Sequence, residues 1–305
     1  MPVTHHELVN LEHWAKVFPL VTFEQKQGNR QFNTTKRGDP LDLWKARGSI
    51  ITSPADLCEI ELSRQRAAET HDLGERVHSH IFLWKTGEPE KPYLTKVGGT
   101  PFRPASRVWP KSSDGALMTF VVQFCFADSK EILPYPTPGD VMLVFMSDSE
   151  AFYGAENDIH IEWSDLTIDQ PLGSDACPKA QWTVPSLTGV LHRTFEYPES
   201  WKIFNALGHY QPYLFDTTQS TKISTETHFI QGDPSKPGQK LLCVLSSIRP
   251  TERWPFVDLE RLPKNRGENE NHSGWGKYEM SFGDAGCIYF FIDRSGRISW
   301  SCDSY

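Results

Sequence analysis

From residue 97 to the C-terminus the apolar residues fall in runs no longer than a β-strand, and proline and glycine recur in the stretches that separate them. Runs of this length, rich in Val, Ile, Phe and Tyr, fit a pleated sheet and are too short for packed helices. Residues 117–126, 141–146, 159–163, 190–197, 241–248, 287–292 and 298–302 are therefore predicted strands. Ahead of them, residues 76–84 are β-rich in the same way and end at a Gly/Pro/charged connection, 86–92. The last two runs flank Asp293-Arg294-Ser295-Gly296-Arg297, where Gly296 supplies the positive φ that a hairpin loop of this length needs.

Helical periodicity sits mainly in the N-terminal part. Leu8, Leu11, Trp14, Ala15 and Phe18 recur every three to four residues, which predicts a short amphipathic helix ending before Pro19. Ser53-Pro54-Ala55-Asp56 reads as a helix start, with Ser53 as cap, Pro54 at the first helical position and Asp56 reaching back to the cap. Farther along, 201–207, closed by Gly208, is the one convincing helix. The expectation is an α+β fold: a helical and strand extension over 1–92 packed on an antiparallel strand-rich domain over 93–305. Polar stretches at 233–238 and 264–276 are expected surface loops.

Charge narrows the partners. Thirty-nine acids against 31 bases give a net charge of −8, and no run of Lys and Arg is longer than Lys36-Arg37. Nucleic acid and anionic membrane surfaces both demand a concentrated basic face, so neither is an expected partner. No stretch approaches 18 uninterrupted apolar residues, and the N-terminus lacks the basic and apolar regions of a secretory signal, so a cytoplasmic location is expected. Six cysteines in such a chain, none at metal-ligand spacing and three (Cys125, Cys243, Cys287) inside apolar runs, predict reduced buried thiols and no disulfides.

Several positions are candidates for chemistry. Strand alternation puts Asp158, His160 and Glu162 on one face, where they can hold a divalent metal or pair a base with an orienting carboxylate; the plainer reading is a half-buried strand with its charges in water. His78 and His80 likewise share a face at a spacing that metal sites use, so His78, His80 and His160 are the candidate metal ligands. Gln123 and Gln231 lie among apolar residues and must find partners, bracing loops or lining a cleft, and Asp284 enters an apolar strand from a turn. Gly98-Gly99-Thr100-Pro101 lacks phosphate-loop spacing and reads as a tight turn. Trp254 and Trp275, with Glu268 and Glu270, sit in loop-like contexts open to a protein partner. No cofactor is expected.

Six short pieces occur in a recognisable order: Val97-Gly98-Gly99-Thr100-Pro101; Trp109-Pro110; Phe120-Val121-Val122-Gln123; Leu133-Pro134 with Gly139; and, later, His228-Phe229-Ile230-Gln231-Gly232-Asp233-Pro234 followed by Phe282-Gly283-Asp284-Ala285-Gly286-Cys287. Over about 97–292 this series resembles the bacterial YwqG-like family, which has no assigned activity. The resemblance implies a domain built around antiparallel sheet and, through members thought to belong to toxin and immunity gene sets, a lean toward protein binding. The leading functional expectation is thus an acidic protein-binding module, with a toxin-neutralising immunity type as its more specific form; the alternative is a metal-dependent hydrolase or a small-ligand-binding protein.

Overall fold

A computed structural model of the chain describes residues 72–148, 158–197, 220–248, 279–283 and 286–304. The helices expected before residue 71 and at 201–207 lie outside the described residues. Within them the α+β expectation is corrected, because the chain is almost entirely antiparallel sheet. The helical elements lying wholly within the described residues are the 3-10 turns Ala127–Ile132 and Ser174–Ala176. The physical reason is punctuation: helix nucleation needs several consecutive residues fixed for a single hydrogen bond, and between these runs proline and glycine recur too often to allow it.

The strands are β1 (Val77–Thr86), β2 (Lys96–Val97), β3 (Thr119–Cys125), β4 (Val141–Met146), β5 (Ile159–Ser164), β6 (Leu187–Glu196), β7 (Lys222–Ser224), β8 (Gln239–Ser246), β9 (Cys287–Asp293) and β10 (Ile298–Asp303). They form one ten-stranded sheet in the order β10-β9-β8-β7-β1-β6-β2-β3-β4-β5. Every predicted strand is present within a few residues of its expected bounds. Strand β1, assigned from the sequence to the N-terminal extension, lies inside the sheet between β6 and β7.

The sheet curls until it is nearly closed. Phe124 on β3 and Phe290 on β9 are far apart in strand order, yet their rings meet at 6.3 Å. Trp163 on the edge strand β5 and Trp300 on the opposite edge strand β10 pack against the same inner core. Outer-face residues are buried as well: Val141, Leu143 and Phe145 of β4 belong to one outer cluster with Phe102 and Met118, and Leu241, Val244 and Tyr289 to another. This explains runs such as Val141–Met146, buried at all positions, whose sequence shows no alternation.

The C-terminal hairpin forms as expected. Gly296 has φ +82°, and Asp293 Oδ1 accepts from the Ser295 and Arg297 amides at 2.9 and 3.1 Å. Cys125, Cys177, Cys243, Cys287 and Cys302 are all free thiols, and burial pushes Cys287 up to about 11. Among the described residues no helix is long and apolar enough to cross a membrane.

Candidate functional site

The feature that opens the sheet is the shortness of β2. Its two residues, Lys96 and Val97, bridge Thr188 and Leu187 of β6 to Gln123 and Val122 of β3. Thr95 then ends the bridge: its carbonyl accepts from the Gly189 amide and its Oγ1 from the Cys125 amide, both at 2.9 Å. Strand β6 continues to Glu196 without β2 beside it. Between the diverging strands lies a groove of about 350 Å³, near the lower end of the size of ligand sites.

Phe82, Leu94, Val190 and Leu191 give this groove an apolar lining, and Lys85, Glu88, Glu90 and Asp128 give it charge. Gln123, 0% exposed, sets the wall: its Oε1 accepts from the Phe102 amide at 2.9 Å, and its Nε2 donates to the carbonyls of Pro92 and Leu94 at 2.8 and 2.7 Å. Gln123 thus braces the chain beside the groove and is not itself one of the lining residues. Buried Lys96 reaches Glu88 at 2.7 Å, and Gly98 and Gly99, at φ +63° and +70°, turn the chain closely past it. Gly189 matters for packing, since a Cβ there would meet Phe82 Cδ1 at 3.0 Å and Thr95 Cγ2 at 3.1 Å. Cys125 also lines the groove, but burial raises its pKa, so it is a poor nucleophile.

On the outer face of β5 the expected polar row is present, with a partner set that the sequence did not reveal. Glu162 accepts from Arg103 Nη2 at 3.0 Å and Arg107 Nη1 at 3.2 Å, and His160 Nε2 lies 3.5 Å away. Arg103 is 1% exposed; its Nη2 also donates to the Val108 carbonyl at 2.8 Å, and its guanidinium lies over the rings of Trp109 and Phe145. Burial opposes the charge on Glu162, but His160 and the two arginines outweigh it and hold the pKa below the ordinary value. The arrangement ties the loop carrying Arg103, Arg107 and Trp109 to β5. Asp158 sits one residue before the strand, and its Oδ1 accepts from Ser147 Oγ at 3.3 Å. Among the described residues no group of three His, Cys, Asp or Glu side chains is placed to hold a metal ion.

His78 and His80 also share a face of β1 but diverge in role. The His78 ring packs on Phe195 at 5.0 Å, whereas His80 Nδ1 meets Ser129 Oγ at 2.8 Å and pins the Ala127–Ile132 turn to the sheet. Gln231 ties its loop to the C-terminal strand, donating from Nε2 to the Ser304 carbonyl at 2.6 Å and from its amide to Asp303 Oδ2 at 3.3 Å. Asp284, Trp254, Trp275, Glu268 and Glu270 lie outside the described residues. Sequence reasoning missed the groove residues Glu88, Glu90, Asp128 and Gly189. Two acids in the 86–92 connection and a glycine directly ahead of the predicted 190–197 strand were the signals available.

Sheet and groove together define a barrel-like antiparallel-sheet protein with an acidic opening in its wall. The chain belongs to the family described as Domain of unknown function (DUF1963), whose model matches residues 95–296, from the last residue before β2 to the β9–β10 turn. A comparison with curated proteins gives no match.

Proposed function

We propose that the protein is a binding module whose groove receives part of a partner protein with a basic contact surface. The observation that carries this reading is the lining: the charged residues are three acids, Glu88, Glu90 and Asp128, and one base, Lys85, alongside the apolar Phe82, Leu94, Val190 and Leu191. Lys96 engages Glu88, which leaves Glu90 and Asp128 as the acids to meet a cationic side chain. The net charge of −8 acts in the same direction at longer range, where it speeds encounter with a basic protein and weakens with salt. A basic toxin neutralised in the cytoplasm is the immunity-type form of this proposal, and the same charge argument supports it.

The test compares two baits in a native lysate, the wild-type chain and the double variant Glu90→Lys/Asp128→Lys, with captured proteins quantified by mass spectrometry at low and moderate salt. The expected result is a basic protein held by wild type, released by salt and absent from the double variant. Equal capture by both baits contradicts the groove as the site.

A further inference from the structure

The groove exposes more than side chains. The Phe82 amide donates to the Thr221 carbonyl, on the β7 side of β1, so the backbone groups of the alternate residues Ile81 and Leu83 point toward β6. Their register partners His192 and Val190 must then bond back toward β1. The residues between them, Gly189, Leu191 and Arg193, therefore aim their backbone N–H and C=O groups the other way, toward the groove side. Gly189 confirms the parity, since its amide reaches Thr95. Beyond Thr95 the neighbouring strand has ended, and among the described residues the main chain of Leu191 and Arg193 has no hydrogen-bond partner on that side.

An unpaired run of strand backbone is a template for another strand. Here it borders an apolar floor, with Val190 39% exposed beside it and Glu90 and Asp128 close by. We propose that the partner segment taken by the groove is an extended strand, rich in alternating basic and apolar residues, that adds to the edge of β6 at Leu191 and Arg193. The inference rests on the groove-binding reading above and specifies its chemistry. Two residues with both groups available accept a strand of roughly four to five residues. Backbone hydrogen bonds supply the common part of the recognition; the apolar floor and acidic rim select side chains. A short β2 is what keeps this edge open.

The experiment measures fluorescence anisotropy of a labelled, end-blocked Lys-Val-Lys-Val-Lys-Val-Lys peptide with the full-length protein. Two further peptides are N-methylated, one at every valine and one at every lysine, so that each loses the donors of a single strand edge while keeping all its side chains. One methylated form is expected to bind at least ten-fold more weakly than the parent and the other to bind like it. Equal affinity in all three, or equal loss in both methylated forms, overturns strand addition. If affinity is unaffected by methylation but falls with Glu90→Lys/Asp128→Lys, strand addition fails while the groove reading stands. If none of the peptides binds, both fail. Sedimentation of the same samples covers the remaining occupant: self-association dispersed by the peptide would assign the edge to a second copy of the chain and overturn the partner assignment.

Discussion

At Glu162 one carboxylate serves two guanidiniums, and one of these, Arg103, is almost wholly removed from water. Removing a single partner from a buried pair costs far more than the pair contributes, because the remaining charge is left without compensation. Glu162→Gln is therefore expected to destabilise the fold by about 3 kcal/mol, read by urea denaturation at pH 7. Since the folded pKa of Glu162 lies below its ordinary value of 4.5, its contribution is present above that pH and is lost as pH falls through the folded value. The gap between wild type and variant should narrow below about pH 4.5; a gap unchanged at pH 3 would contradict this account. The row Asp158, His160, Glu162 was legible by alternation alone. The arginines were not, since Arg103 stands 59 residues away along the chain and only the fold brings it to Glu162. Gln123 was legible for a related reason: an amide in the middle of an apolar strand announces that it has partners, though not which ones.

At the level of the strand, period and punctuation revealed β1, β3 to β6 and β8 to β10. They left out β2 and β7, whose two and three residues carry no period to detect. Yet β2 decides where the site is, because its end exposes β6. Gly189 shows the cost of that arrangement. It sits inside a strand, where glycine is ordinarily unfavourable, and its missing Cβ lets β2 and Phe82 approach. Gly189→Val is expected to lower stability by about 1–3 kcal/mol through overpacking and to weaken binding of the lysine–valine peptide. A variant as stable as wild type by thermal denaturation would mean that the β2–β6 contact is looser than the distances indicate.

For the molecule as a whole, the antiparallel sheet was readable from the sequence and its closure was not. Curling depends on local irregularities such as the register shifts between Phe120 and Val122 and between Leu241 and Cys243, which bend and twist the strands. No residue pattern in those runs separates a bulged strand from a straight one. The α+β expectation rested on helical signals at positions outside the described residues, and within them the strand-length runs prevail. The central claim, that a nearly closed sheet keeps one internal stretch of strand unpaired as a binding edge, is tested most directly by residue-resolved amide hydrogen exchange along β6. The account predicts slow exchange at Val190 and His192, bonded to β1, and fast exchange at Leu191 and Arg193 until the lysine–valine peptide is added. Slow exchange at Leu191 and Arg193 in the free protein would show that the edge is already paired and would contradict it.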